Sequence, residues 1–438
     1  MDAAKSNLDL ATAVRNAEAR YAEANPRSAA AFAAAQRHMP GGNTRTVLYY
    51  SPFPLALAGG DGCYVTDLDG HRYIDTISEQ TAGMYGHSNP AIEAAVIAAL
   101  QQGIMLGGPT TREAELADLL CARFPALELV RFTNSGTEAN LYALCTARAV
   151  TGRPTVLAFE GSYHGGVLSF GGYGNAMNVP FPYVMAPYND VERTLALIEA
   201  NAADLAAVIM EPMVGSGGCI RATDEFVAAV REATTRHGIT LIFDEVMTSR
   251  LAPGGLHSVL GVAPDLLTMG KYLGGGLSFG AFGGRADIMA RFDPARADAF
   301  GHAGTFNNNV LSMAAGIAGL RDVLTAEASR RINAAGDRLR LRLQQCLAAR
   351  GVPGTVTGYG SMMMVQLADG GYQRPQDTAR IRPEARALCQ FEMLEQGIYL
   401  SRRNMLNLSL PMGEAEFEHI VAAFDAFLAE HGAVLIQS

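Results

Sequence analysis

No basic run occurs anywhere in this chain, and its charge balance is acidic: 34 Lys and Arg stand against 43 Asp and Glu, a net charge of −9. Without a positive patch, nucleic acid is excluded as an expected partner. Cysteine is sparse as well. Cys63, Cys121, Cys145, Cys219, Cys346 and Cys389 form no CxxC pair, and no His stands beside them at metal-ligand spacing. That argues against a disulfide framework and a zinc site, and for free thiols in a reducing cytoplasm with no metal. The N-terminal stretch "MDAAKSNLDLATAVRNAEARYAEA" carries charge at every turn, so it lacks the apolar core of a signal peptide. A longer uncharged stretch, 165–189, is broken repeatedly by Gly and Pro and reads as loops around an active site rather than a membrane helix. The expectation is a cytoplasmic enzyme with no membrane partner.

What remains is an ordinary globular composition, 49% hydrophobic and 18% charged, over 438 residues. That length exceeds one compact core, so a large and a smaller domain are expected. Residues 10–38 read as helical, and short strands follow the break at "MPGGNTR". The apolar runs "LVRFT", "TVLAF", "LAAVIM", "ITLIF", "LLTM" and "GAFGG" then alternate with helical segments such as "TEANLYALCTARAV" and "TDEFVAAVREATTRHG". This pattern predicts an α/β fold, a mostly parallel sheet covered by helices on both faces. From 326 onward a long helix, two strand runs and a final helix read as a smaller α+β domain. The expected division is 1–70 as an N-terminal segment of the small domain, 71–325 as the large domain and 326–438 as its C-terminal part.

In a parallel sheet, ligands bind beyond the carboxyl ends of the strands, so the residues just after each apolar run carry the information. After "LVRFT" comes Asn134 and then Ser135, Gly136 and Thr137 at a helix start, an anion cradle. After "TVLAF" come Tyr163 and His164, rings suited to covering a flat heterocycle. Glu211 follows "LAAVIM", Asp244 follows "ITLIF", and Lys271 follows "LLTM" with glycines at 274–276. Each alone is explained by capping or solvation; five consecutive strand ends delivering a polar group are not. Pyridoxal phosphate needs this set: its phosphate held, its ring covered, its pyridine nitrogen kept protonated by a carboxylate and its aldehyde bound by a lysine. Asp244 is assigned to the nitrogen and Lys271 to the aldehyde, with burial expected to lower the lysine pKa.

The motifs "FTNSGTEAN", "GSYHGG", "EPM", "LIFDEVMTSR", "TMGKYLGGG" and "HAGTFNNN" together resemble the class III, fold type I pyridoxal-phosphate aminotransferases, in the branch containing glutamate-1-semialdehyde aminomutase. Within it, "MPGGNTRTVLYYSPFPL", "DEVMTSRLAPGG", "SFGAFGGRADIM" and "LSLP" look most like the bacterial β-amino-acid, or β-phenylalanine, aminotransferases. The resemblance runs from about Pro40 to the final helix. It implies a fold type I transferase with a seven-stranded sheet in the large domain, a homodimer with shared active sites, and Lys271 as the cofactor lysine. It also implies that Val246 and Met247 line the cofactor site, that Thr305 reaches the phosphate of the neighbouring subunit, and that Tyr85 lies with the substrate. Arg45 in "GGNTRTV" and Arg403 in "LSRRNML" are expected to grip the carboxylates of the two substrates, Arg403 being preferred over Arg402. Where many members of this branch continue "DEVMT" with Gly and an aromatic residue before Arg, this chain has Ser249 and then Arg250, which predicts a rebuilt loop over the pocket. The activity implied is ping-pong transfer from a β-amino acid to a keto acid such as 2-oxoglutarate or pyruvate; an aminomutase or a racemase on the same cofactor is the alternative.

Overall fold

A computed structural model describes residues 9–171 and 176–436. Strands β1 (Leu57–Asp61), β2 (Tyr64–Asp67) and β3 (Arg72–Asp75) form an antiparallel meander near the N-terminus. The large sheet uses β4 (Leu129–Thr133), β5 (Thr155–Phe159), β6 (Tyr183–Ala186) and β7 (Leu205–Met210). Strands β8 (Met213–Val214) and β9 (Ile220–Arg221) make a small ribbon, after which β10 (Thr240–Asp244), β11 (Leu266–Gly270) and β12 (Gly280–Gly284) return to the large sheet. Its order is β4-β12-β11-β10-β7-β5-β6. Every pairing in it is parallel except those of β12, which runs antiparallel to both neighbours.

Strands β7, β10, β11 and β12 are buried at every position, which is why they read as unbroken apolar runs. Their side chains alternate between two cores. Leu241, Phe243, Val208 and Met210 pack on one face, while Ile242, Ile209 and Leu266 pack on the other with Ala139 and Leu144 of the helix Gly136–Thr151. Burial on both faces puts the polar residues at the strand ends, where the site lies.

Strands β13 (Thr355–Tyr359), β14 (Met362–Gln366), β15 (Ile398–Tyr399) and β16 (Met405–Asn407) complete the chain. β13, β14 and β16 form an antiparallel sheet, whereas β15 pairs parallel with β3, Ile398 opposite Ile74. The division expected at residue 70 therefore cuts an intact meander, since β3 belongs with β2 and β15. The final helix, Glu414–Ile436, is long and apolar enough to cross a membrane by composition alone. It packs instead along the helix Ala326–Arg350, with Arg342 bonded to Glu414 and Glu418 and Arg350 to Asp425.

Two local expectations fail. The helix expected over 10–38 is two, Leu10–Ala24 and Pro26–Ala35, because Pro26 cannot donate to the preceding turn and starts a new helix instead. The stretch 165–189 is not loop throughout: it contains β6, whose "YVMA" pairs with β5 at the sheet edge.

Candidate active site

The carboxyl ends of the central strands open into one cavity of about 1050 Å³. Ser135, Gly136, Thr137, Tyr163, His164, Glu211, Asp244, Val246, Met247, Lys271, Arg45, Arg402 and Arg403 all line it. Tyr85 and Thr305 do not. Tyr85 is buried, its ring 6.3 Å from that of Tyr272 and its hydroxyl against Gly319, where the helix following Val310 widens into a π-turn. A tyrosine so enclosed cannot touch substrate, which corrects its expected place. Thr305 is exposed, outside the cavity of its own chain.

Asp244 ends β10, buried and held by three donors. His164 Nδ1 lies 2.7 Å from Oδ2, Asn140 Nδ2 donates to the same oxygen at 2.8 Å, and Val246 N donates to Oδ1 at 3.0 Å. Asn140 is fixed in turn by Thr268 Oγ1, which donates to its Oδ1 at 2.6 Å. His164 is thus not a second stacking ring beside Tyr163; it is buried and serves the carboxylate. Tyr163 keeps its ring exposed to the cavity.

Ser135 caps the helix Gly136–Thr151, its Oγ accepting from Glu138 N at 3.2 Å. The N-terminus so capped lines the cavity and presents the positive end of the helix dipole. Gly136 has no room for a side chain: a Cβ there would fall 2.8 Å from both methyls of Val246. At Gly136 the wall of the cavity is therefore backbone, which suits close approach by an anion.

Glu211 is buried at the end of β7 and accepts from Tyr163 N at 2.9 Å and from Gly215 N at 3.0 Å, tying two loops together. Burial raises its pKa to about 7. Lys271 follows β11 in a left-handed conformation, φ 55°. Removal from water lowers its pKa to about 8 against the opposing pull of Asp244 and Glu211. A buried anion and an amine that readily loses its proton thus share one cavity with an anion cradle, which fits pyridoxal phosphate.

The arginines divide cleanly. Arg402 lines the cavity but is anchored to the protein, donating to Ser51 O at 3.0 Å with its guanidinium 4.7 Å from the Phe391 ring centre and 5.3 Å from that of Tyr50. Arg403 has no ion-pair partner among the described residues, and Arg45 is paired with Glu79. Arg250 is not over the pocket. It is buried, donating to Thr81 O and Ser361 Oγ at 3.1 Å each and to Leu408 O. The reading of residues from strand ends missed Asn140 and Thr268, which lie inside a helix and a strand, and Gln80, whose carbonyl accepts from Lys271 Nζ.

A family model described as aminotransferase class-III matches residues 49–408. A β-phenylalanine transaminase of Variovorax paradoxus is 49% identical over 97% of both chains, and a crystal structure of the β-phenylalanine aminotransferase from that organism superposes with a TM-score of 0.95, covering 97% of this chain and 98% of that one. A glutamate-1-semialdehyde 2,1-aminomutase of Thermus thermophilus is 38% identical over 85% of this chain and 92% of its own. With its strand-end lysine, carboxylate and anion cradle on the fold type I sheet, this chain belongs to the class III aminotransferases, enzymes that depend on pyridoxal phosphate.

Proposed function

We propose that this aminotransferase takes the amino group of a β-amino acid with an aromatic side chain and passes it to a keto acid such as 2-oxoglutarate or pyruvate. The observation that carries the reading is the pair of arginines lining the cavity that holds Lys271. Among the described residues Arg403 has no ion-pair partner and the Arg45 guanidinium pairs with Glu79. A β-amino acid and a keto acid present carboxylates at different distances from the reacting carbon, and two guanidinium forks answer both. Val47, Tyr49, Leu277 and Met405 add an apolar lining suited to an aromatic ring. The name of the Variovorax relative points the same way.

The cofactor supplies an electron sink that lets a bond to the amine-bearing carbon ionise. This chain does the rest. The cradle of Ser135, Gly136 and Thr137 would hold its phosphate, and Tyr163 would lie against its ring. Asp244, oriented by His164 and Asn140, would keep the ring nitrogen protonated. Lys271 would hold its aldehyde and serve as the proton-moving base; a pKa of about 8 leaves part of the free amine neutral at physiological pH.

We infer also a homodimer, in a cytoplasmic setting, with Thr305 reaching the phosphate of the other site. Asn308 Nδ2 ties the segment carrying Thr305 to Gly108 O and Glu113, close in sequence to Ile104, Met105 and Leu106, and these three together with Phe306 are apolar side chains left exposed. Size-exclusion chromatography with light scattering tests this, and a monomer at micromolar concentration would refute it.

The reaction is tested by spectrophotometric titration. The cofactor absorbance of the purified enzyme should shift on adding β-phenylalanine and return on adding 2-oxoglutarate or pyruvate. An aminomutase would process its own substrate without an added acceptor, and that outcome would replace the present reading. Borohydride reduction followed by peptide mass spectrometry should find the cofactor on Lys271 alone.

A further inference from the structure

Ser78, Glu79, Gln80 and Thr81 are four consecutive residues other than glycine in the left-handed region, with φ of 49°, 47°, 54° and 79°. For L-residues each such conformation costs free energy, and a run of four is far outside what a chain adopts unaided. The run is not sustained by its own hydroxyls, because Ser78 Oγ and Thr81 Oγ1 are buried without a hydrogen-bond partner. Backbone bonds close the turn, from Gln80 N to Ile77 O, Ala82 N to Glu79 O and Gly83 N to Ser78 O, while its side-chain anchors come from outside. Asp75 Oδ1 accepts from Ile77 N and Ser78 N at 2.9 Å, Asn407 Nδ2 donates to Ile77 O at 3.0 Å, and Arg250 Nη1 donates to Thr81 O at 3.1 Å.

Arg250 is the unusual member of this set. Its side chain is buried, and no carboxylate lies within ion-pair distance of it among the described residues. A buried guanidinium without a counter-charge is costly, and it persists only where its donors are fully used. Here four bonds take them up, to Thr81 O at the end of the left-handed run, Met84 Sδ just beyond it, Ser361 Oγ before β14 and Leu408 O after β16, groups that meet only in the folded chain. Burial lowers its pKa to about 10, still high enough to remain charged at neutral pH.

What the run presents to the cavity is functional. Gln80 O accepts from Lys271 Nζ, and the Glu79 carboxylate pairs with Arg45. A lysine that must release its cofactor and retake it needs a defined resting place, and a carbonyl that accepts one N–H sets where the nitrogen lone pair points.

We propose that Arg250 is a positioning residue that clamps the left-handed run Ser78–Thr81, so that the Gln80 carbonyl orients Lys271 and Glu79 holds Arg45. This rests on Lys271 as the reactive amine and not on which amine or keto acid is used.

The test is rescue by glycine, which adopts φ near +55° without strain. Three variants are compared with the parent: Arg250→Met, Gln80→Gly, and the two combined; Gln80→Gly keeps the carbonyl that Lys271 uses. Arg250→Met should lower kcat about ten- to a hundred-fold, the range expected when a charged hydrogen bond is lost. In cofactor-free protein at about pH 9, where the amine is mostly neutral and Arg250 is still mostly charged, it should also speed acylation of Lys271 several-fold, read by peptide mass spectrometry. The combined variant should recover kcat, thermal midpoint and Lys271 protection relative to Arg250→Met, because the turn then forms without its clamp. A merely packing role for Arg250 predicts no recovery, and that result overturns the proposal, as does an Arg250→Met enzyme with parental kcat and labelling. If Arg250→Met does not fold, Arg250→Lys replaces it, since a single ammonium cannot reach all four acceptors; absence of glycine rescue there is equally fatal. The labelling needs neither cofactor nor substrate, so it stands apart from any failure of the assigned reaction.

Discussion

Replacing Asp244 by Asn removes one charge and turns one acceptor into a donor, and the surroundings fix what that does. The carboxylate accepts from His164 and Asn140 at Oδ2 and from Val246 N at Oδ1. An amide that keeps its oxygen at the Oδ2 position retains two of the three bonds, but its NH2 then faces the Val246 N–H, donor against donor. That mismatch costs about 1–3 kcal/mol of stability and should lower the thermal midpoint without unfolding the protein. The effect on rate is larger. A unit negative charge about 4 Å from a protonated ring nitrogen is worth about 4 kcal/mol at an effective dielectric near 20. At about 1.4 kcal/mol per factor of ten, its loss slows the reaction by about three orders of magnitude. The assay is the single-turnover half-reaction with amino donor, followed by the cofactor's own absorbance in enzyme shown to have retained it. A rate within about threefold of the parent would reduce Asp244 to a structural cap. Failure to retain cofactor at all would assign the carboxylate to binding instead, and would refute the reasoning equally.

Gly136→Ala places a methyl 2.8 Å from both Val246 methyls, and Val246 is too stiff at χ1 to yield freely, so cofactor affinity should weaken at least tenfold by equilibrium dialysis. Arg45→Ala and Arg403→Ala should each lose about ten- to a hundred-fold in kcat/KM, but unequally: Arg45 is expected to matter more for the β-amino acid and Arg403 for the keto acid, with equal small losses in both half-reactions counting against two carboxylate grips. For cofactor-free enzyme the Lys271 pKa, lowered to about 8 from 10.5, gives a pH signature. Below pH 8 the amine is charged in both folded and unfolded chains and its burial is penalised in full; between these values the unfolded chain binds more protons, so stability contributed at this site rises with pH. Lys271→Met should therefore be more stable than the parent below pH 8, and the gap should close as pH rises toward 10.5; a gap independent of pH would show that Lys271 is not perturbed.

The large sheet and its strand-end residues were legible because a strand buried on both faces cannot be confused with a surface one, and its first polar residue must mark the end. Asp244 after "LIF" and Lys271 after "LLTM" are found that way. Residues acting from inside an element gave no such mark: Asn140 sits within a helix and Thr268 within β11, where a polar side chain reads as ordinary. The left-handed run at Ser78–Thr81 contains no glycine, so nothing in "SEQT" announces it. Arg250 was misread for a related reason. Its neighbours in sequence suggest a loop, while its acceptors lie 158 to 169 positions away at Leu408 and Thr81 and 111 away at Ser361.

The parallel pairing of β3 with β15 joins residue 74 to residue 398, and this has a consequence for biosynthesis. A chain still on the ribosome can assemble the large sheet, with Lys271, Asp244 and the phosphate cradle in place, long before Arg403 or Leu408 has been translated. During that interval β3 is an open edge, the left-handed run lacks its Asn407 anchor, Arg250 lacks the Leu408 carbonyl, and the cavity lacks Arg403. Truncation before residue 398 should thus yield a species able to take up cofactor yet unable to select a substrate, exposing a strand edge of the kind that chaperones recognise.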